Sequence, residues 1–534
     1  MSAAPAPAPE APAVADPVGE TPGATRIGFR KADHANASEI LWQNLARSPD
    51  APALDGPGGR RTYAALVAEA ARWGHALAAH GLARGDRVAM LLDDRPEHPA
   101  ALMGAIRAGF VPVLLNTQAT PDLLAFFLAD SEARLAVCEA ALAPGLRAAA
   151  PTLRIVTVGE GGTAPAFTAG FPDRLPCADT SPDDMAFWMY SSGSTGRPKG
   201  IVHLQHDMAY TAMSYGAHVL RLSPSDRVLS VPKIFFAYGF GNSITFPFWS
   251  GACAVLLPGR PEPARVLAAI GAHRPSVLFG LPTLYAALVR APEAAGADLA
   301  SLRLSLSAAE VLPKGVSEAW RVLAGHDPVE GLGSTEMLHV YLSNTEAERR
   351  PGAAGRVVPG YEARLLDAEG REVGPGEEGV MWVRGHSSAP CYWRRPDKTA
   401  ETMRGDWVHT GDRFREEGGF YVFQGRADDL VKVSGQWVRP LEVERRLAEH
   451  GDVHECAVLA ERLADGRTGL RAVVRPRDGV APTPALTQAL RAHLKAALLP
   501  HQAPRRFTYL DALPHTGTGK IDRQALLAAG EGEP

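Results

Sequence analysis

Apolar positions between residues 38 and 115 switch repeatedly between helical and strand spacing. Ser38 stands where it would cap a helix over 39–47. Thr62 stands where it would cap a longer amphipathic helix, Tyr63–Ala79, whose apolar residues recur three and four apart. Residues 87–92 form a short apolar run of strand length, 98–108 read as helix, and 111–115 as strand again. The same rhythm continues with a helix over 122–130 and strands over 134–138, 185–189, 227–231 and 276–279. Alternating helices and strands imply parallel sheet with right-handed crossovers.

The texture changes after about residue 355. Short strands over 363–366, 379–384 and 420–423, separated by Gly, Pro, Asp and Glu, predict a small antiparallel unit. A charged turn follows, Gly425-Arg426-Ala427-Asp428-Asp429. Beyond it lies an α+β pattern: strand 430–433, helix 441–449, strands 455–460 and 469–474, helix 484–498, strand 506–509. This divides the chain into an Ala/Pro-rich disordered extension (1–25), a large N-terminal domain (26–425), a hinge (426–429) and a small C-terminal domain (430–534).

A chain of 534 residues is too long for one core. Its net charge of −4 is spread without a basic block, which argues against nucleic acid as the main partner. Cys138, Cys177, Cys253, Cys391 and Cys456 are too irregularly spaced for a disulfide framework or a zinc site. The extension lacks the charged and apolar regions of a secretory signal, and no apolar run reaches the roughly 18 residues of a membrane span. A reducing, cytoplasmic setting is expected.

The chemistry concentrates in Tyr190-Ser191-Ser192-Gly193-Ser194-Thr195-Gly196-Arg197-Pro198-Lys199-Gly200, directly after an apolar strand. Small residues let backbone N–H groups approach an anion, and hydroxyls and cations complete the cradle. It is not a Walker A loop: Pro198 precedes Lys199, and no Ser or Thr follows that lysine. Four further signals lie in order along the chain: Ser307-Ala308-Ala309-Glu310-Val311-Leu312-Pro313; Glu330-Gly331-Leu332-Gly333-Ser334-Thr335-Glu336; Thr410-Gly411-Asp412 with Arg426; and Pro514-His515-Thr516-Gly517-Thr518-Gly519-Lys520-Ile521-Asp522-Arg523.

Together these motifs resemble those of the acyl-adenylate-forming superfamily of acyl-CoA synthetases, adenylation domains and luciferases. The likeness runs over nearly the whole chain after about residue 35. It implies an α/β adenylating domain of parallel sheets with a small β-barrel, and a small mobile α+β lid. In the implied ATP site, the loop Ser191, Ser192, Gly193, Ser194, Thr195, Gly196 and Lys199 takes the phosphates. Ala308, Ala309, Glu310, Glu330, Gly331 and Leu332 lie at adenine. Thr335 meets phosphate, and Glu336 and Thr195 meet Mg²⁺, a hard cation that prefers oxygen ligands. Asp412 and Arg426 hold the ribose. Lys520 is the implied catalytic lysine, an ammonium that brings carboxylate and α-phosphate together. Two positions depart from the pattern: Leu332 replaces a common aromatic, and Ala309 a common glycine. A third, His515 for a common lysine, is expected to leave the chemistry untouched.

The runs Lys233-Ile234-Phe235-Phe236-Ala237-Tyr238-Gly239-Phe240-Gly241-Asn242 and Glu336-Met337-Leu338-His339-Val340-Tyr341-Leu342-Ser343-Asn344 resemble the benzoate–CoA ligase branch. That resemblance places Ala237, Tyr238, Ala308 and His339 around a flat acyl pocket, and assigns Lys432, Ser434 and Gly435 to the passage for coenzyme A. It also puts the hinge at Asp428. The expected activity is an ATP-dependent aryl-CoA ligase acting on benzoate or a substituted benzoate. A stand-alone adenylating enzyme that loads a carrier protein shares every ATP motif, and a non-catalytic acyl- or nucleotide-binding protein is the third alternative. Similar ligases are silenced by lysine acetylation, so an acetyltransferase and deacetylase acting on Lys520 are candidate partners. A homodimer stays open.

Overall fold

The computed structural model describes residues 27–191, 198–310, 312–427, 431–433, 436–462, 468–515 and 521–530. The chain divides into two compact units. One comprises Met1–Arg364, Trp382–Thr410 and Glu417–Val422, the other Leu365–Met381, Gly411–Glu416 and Phe423–Pro534.

The first unit holds two large sheets. In the six-stranded sheet the order is Arg154–Val158, Leu135–Glu139, Arg87–Leu91, Val111–Leu114, Met185–Ser191 and Lys199–Leu204. All neighbours are parallel except the last pair. The nine-stranded sheet has a parallel centre running from Val329–Gly333 through Leu304–Ser307, Val277–Gly280, Arg227–Ser230 and Cys253–Val255 to Pro52–Asp55. Antiparallel strands Val340–Ser343 and Arg356–Val357 extend one edge, and Arg61–Thr62 closes the other. Buried Val, Leu, Ile and Ala fill these strands because helices cover their faces.

The helical pattern between 38 and 115 is realised with one correction. Thr62 caps Tyr63–Ala79, its hydroxyl accepting from the Ala65 N–H at 3.2 Å. Ser38 caps nothing. Asn36 Oδ1 takes both its N–H and its hydroxyl, at 3.1 and 2.6 Å, and the expected helix 39–47 is broken into Glu39–Trp42 and Asn44–Arg47. The antiparallel unit after residue 355 is a five-stranded sheet that includes an eleven-residue strand, Trp407–Glu417, absent from the sequence-based expectation.

The second unit is built on a three-stranded sheet. Val453–Arg462 runs antiparallel to Thr468–Pro476, which is parallel to Arg506–Tyr509. Period-two alternation separates its faces. Cys456 and Val458 join Val443, Leu447, Leu486, Leu490 and Leu494 in one core, while Ala457 and Leu459 pack with Leu513 and Leu526 in another. Helices Pro440–Ala448 and Pro484–Lys495 supply the first set. Among the described residues no helix is long and apolar enough to cross a membrane.

Candidate active site

The strands Met185–Ser191 and Lys199–Leu204 pair in antiparallel register, Tyr190 opposite Gly200 and Ser191 opposite Lys199. The glycine-rich run therefore joins the ends of a hairpin at the edge of the six-stranded sheet. Ser192, Gly193, Ser194, Thr195 and Gly196 lie outside the described residues. The hairpin is anchored at Asp130, whose carboxylate accepts from the Tyr190 hydroxyl and from Arg395, both at 2.9 Å.

Glu336 lies close to the start of the returning strand. Its carboxylate accepts a 2.8 Å hydrogen bond from the buried Tyr392 hydroxyl, and its carbonyl accepts from the Ala389 N–H at 2.8 Å. Lys199 Nζ sits 4.2 Å from the centre of the Tyr392 ring, a cation–π distance. The structure thus brings together Lys199, Thr335 and Glu336. It adds Tyr392 and His203, neither singled out from sequence, since His203 Nε2 lies 2.9 Å from the Thr335 carbonyl.

Ala308 is buried, whereas Ala309 is exposed in a left-handed conformation with φ +77°. That backbone region explains why a glycine suits the position, and an alanine there carries about 1 kcal/mol of strain. Glu330 and Leu332 lie on Val329–Gly333, whose centre pairs with Val340–Ser343. Burial pushes the Glu330 carboxyl up to about 7, opposed by the backbone N–H groups of Gly352 and Leu312 at 3.4 Å. Glu310 also has polar partners, and Gly331 is half-buried.

Three residues beyond Glu336, His339 is buried among aromatic rings, with centroids of Tyr215, Tyr238 and Phe246 at 5.2, 5.4 and 4.6 Å. Its Nε2 lies 3.2 Å from Asn242 Oδ1 and 3.3 Å from the Tyr238 carbonyl. Asn242 donates from Nδ2 to Ser230, which fixes Oδ1 toward the histidine, so Nε2 carries the hydrogen. Burial lowers the His339 pKa to about 3, leaving a neutral ring. A Cβ on Gly241 would stand 2.3 Å from His339 Cδ2, so only glycine admits the ring this close. Ala237 is buried beside Tyr238. Among the described residues, His339 Nδ1, the Tyr238 hydroxyl and the buried Ser307 hydroxyl have no hydrogen-bond partner.

In the second unit Arg426 Nη1 lies 3.2 Å from Asp412 Oδ1, and the Ala427 N–H donates to the Gly411 carbonyl at 2.8 Å. Gly411 has φ +73°, and a Cβ there would stand 2.9 Å from Arg426 Nη2. The lysine-bearing segment is clasped at both ends. His515 and Ile521 form a β-bridge, and the Asp522 N–H donates to the Pro514 carbonyl at 2.8 Å. His515 Nε2 is 2.7 Å from Glu455, and Arg523 meets the buried Glu444 at 2.7 and 2.8 Å. Lys520 itself lies outside the described residues, as do Asp428, Ser434 and Gly435. Lys432 belongs to the strand Val431–Val433.

Residues 41–393 match the family model for AMP-binding enzymes, and residues 442–520 that for the AMP-binding enzyme C-terminal domain. The chain belongs to the AMP-binding enzyme family. This AMP-binding enzyme is similar to a benzoate–CoA ligase of Thauera aromatica, with 39% identity over 520 residues, 95% of this chain and 98% of that protein. A 4-hydroxybenzoate–CoA/benzoate–CoA ligase of Rhodopseudomonas palustris is also 39% identical, over 92% of this chain and 94% of its own length. The crystal structure of the anthranilate CoA ligase AuaEII in complex with anthranoyl-AMP superposes with a TM-score of 0.89 at 34% identity, covering 94% of this chain and 99% of that one. The signal for Tyr392 was present in this AMP-binding enzyme as Cys391-Tyr392-Trp393-Arg394-Arg395-Pro396, an aromatic pair followed by two arginines. That for His203 was a pair of histidines, His203 and His206, just before Asp207.

Proposed function

We propose that this chain is an ATP-dependent aryl-CoA ligase that activates benzoate or a substituted benzoate. A carboxylate oxygen of the acid attacks the α-phosphorus of ATP and expels pyrophosphate. The thiol of coenzyme A then attacks the acyl carbon of the adenylate and expels AMP. One observation carries the reading. Within four residues the chain passes from a held carboxylate, Glu336, to a neutral buried imidazole, His339, walled by aromatic rings. Phosphate chemistry and a flat apolar site are thereby joined on one short segment, as activation of an arylcarboxylate requires.

Ser191, Thr195 and Lys199 with the intervening loop take the phosphates, and Asp412 with Arg426 takes the ribose. Lys520 stabilises the charge that develops at the α-phosphate. Glu336 fits a hard dication: it is a half-buried carboxylate oriented by a neutral donor, Tyr392. Mg²⁺ there, with Thr195 as a further ligand, would neutralise charge on the phosphates. Lys432, Ser434 and Gly435 admit pantetheine, and rotation about Asp428 in the hinge 426–429 exchanges the two half-reactions between the 26–425 and 430–534 domains. Acetylation of Lys520 removes the ammonium and silences adenylation.

The test is pyrophosphate release against a panel of benzoates and short fatty acids, with coenzyme A or a pantetheinylated carrier protein as acceptor. The reading expects benzoates to be preferred and coenzyme A to be acylated. Acylation of the carrier protein alone would replace the ligase by a carrier-loading enzyme, and release with fatty acids alone would overturn the acyl assignment.

A further inference from the structure

The strand Lys199–Leu204 presents Lys199, Ile201 and His203 at period-two spacing, and all three meet the Thr335–Glu336 segment or its partner Tyr392. Lys199 lies over the Tyr392 ring whose hydroxyl holds Glu336. Ile201 forms a β-bridge with Tyr392 and packs with it and Ala389. His203 reaches Thr335 itself. Its Nε2 is 2.9 Å from the Thr335 carbonyl, and its Nδ1 is 2.8 Å from Asp207 Oδ2, which also accepts from the Leu204 N–H at 3.0 Å. The His203 and Asp207 side chains are both fully buried. The Thr335 carbonyl accepts a second bond, from the Leu338 N–H at 3.0 Å, closing a turn in which Leu338 takes φ +65°.

We infer that His203, set by Asp207, is a positioning residue for ATP: it locks the Thr335–Glu336 turn to the strand that carries the phosphate loop. The inference rests on the function proposed above for that turn. Both partners of the imidazole are oxygen atoms, a backbone carbonyl on one side and a carboxylate on the other, so the ring is held from both ends. The buried Asp207 carboxylate at Nδ1 fixes the plane of the ring and with it the aim of Nε2 at the Thr335 carbonyl. The sequence distance is 132 residues, so one side chain replaces backbone pairing between two segments that must keep their spacing within a fraction of an ångström to share a triphosphate. Both of the carbonyl's lone pairs are engaged, which leaves the Thr335 hydroxyl and the Glu336 carboxylate aimed by a fixed peptide plane.

The test compares wild type with His203→Ala, His203→Gln and Asp207→Asn. A glutamine amide reaches the position of Nε2 and retains the donor to Thr335. The measurements are ATP·Mg²⁺ affinity by calorimetry, kcat and KM for ATP and for benzoate in pyrophosphate release, thioester formation from supplied benzoyl-adenylate, and Tm. Loss of this buried hydrogen bond predicts a fall of roughly tenfold to hundredfold in kcat/KM for ATP in the alanine variant. Benzoate KM and thioester formation should stay within about threefold, and glutamine should restore most of the loss. An alanine variant as active as wild type, equal impairment of alanine and glutamine variants, or equal losses in both half-reactions would overturn the inference. Should the alanine variant fail to fold, the glutamine and asparagine variants decide it: near-normal ATP affinity in the first with weakened affinity in the second supports it, and the reverse overturns it. Wild-type protein that binds ATP·Mg²⁺ but activates no arylcarboxylate would defeat the proposed substrate, while the affinities of the variants would still decide the role of His203.

Discussion

Replacing Tyr392 with Phe isolates one contact at the centre of the proposed ATP site. The ring stays, so Ile201, Ala389 and the cation–π contact with Lys199 are retained, while the 2.8 Å hydrogen bond to Glu336 is lost. A hydrogen bond to a charged acceptor contributes about 1.5–3 kcal/mol. Glu336 is half-buried rather than buried, so water recovers part of this, leaving about 1–2 kcal/mol. At 1.36 kcal/mol per tenfold, adenylation should slow roughly 5- to 30-fold in kcat/KM for ATP·Mg²⁺. The assay is pyrophosphate release at saturating benzoate with ATP·Mg²⁺ varied, and Tyr392→Leu is the companion variant. Leu also removes the surface under Lys199 and should lose at least about threefold more, the scale of an exposed cation–π pair. Rates for Phe within twofold of wild type, or identical losses for Phe and Leu, would refute the reasoning that Tyr392 acts by orienting the carboxylate.

Ala309→Gly should relieve left-handed strain of about 1 kcal/mol, partly offset by glycine's greater freedom when unfolded, so Tm is expected to stay level or rise by about 1 °C. Ala309→Val, measured alongside by thermal unfolding, should lower it clearly. Glu330→Gln should flatten the dependence of stability on pH. The half-buried carboxyl keeps its proton up to about 7 while the unfolded chain releases it near 4.5, so wild-type stability falls as pH rises through that window, by about 3 kcal/mol at most. Parallel denaturation curves for the two proteins between pH 4.5 and 7 would contradict this. Lys520→Ala should reduce benzoate-dependent pyrophosphate release by at least about a hundredfold while thioester formation from supplied benzoyl-AMP persists. Equal collapse of both half-reactions in a folded variant would remove its assigned role.

The chemistry that was legible in the sequence is the chemistry written in contiguous runs. Small residues, hydroxyls and cations stand side by side in the run between Ser191 and Lys199, whose flanking strands pair, and the alternation of helix and strand had to be local to build two largely parallel sheets. Ala309 was visible as a departure from glycine, but the reason, φ +77°, belongs to the backbone alone. Partnerships across the chain left no such mark. Tyr392 and Glu336 are 56 residues apart, and nothing in either neighbourhood specifies that one orients the other. Ser38 shows the opposite failure: Asn36, two positions away, claims its N–H and hydroxyl, so a well-placed cap residue caps nothing. Asp412 and Arg426 were paired by resemblance, and the left-handed Gly411 accounts for the approach of the guanidinium.

The most direct test of the central claim is the product balance of a single reaction. Purified protein is incubated with benzoate, ATP, Mg²⁺ and coenzyme A, and nucleotides, pyrophosphate and thioester are quantified together by liquid chromatography and mass spectrometry. Benzoyl-CoA, AMP and pyrophosphate are expected in equal amounts, with AMP formation dependent on both benzoate and coenzyme A. Formation of ADP and phosphate in place of AMP, or ATP turnover indifferent to benzoate, would contradict that claim.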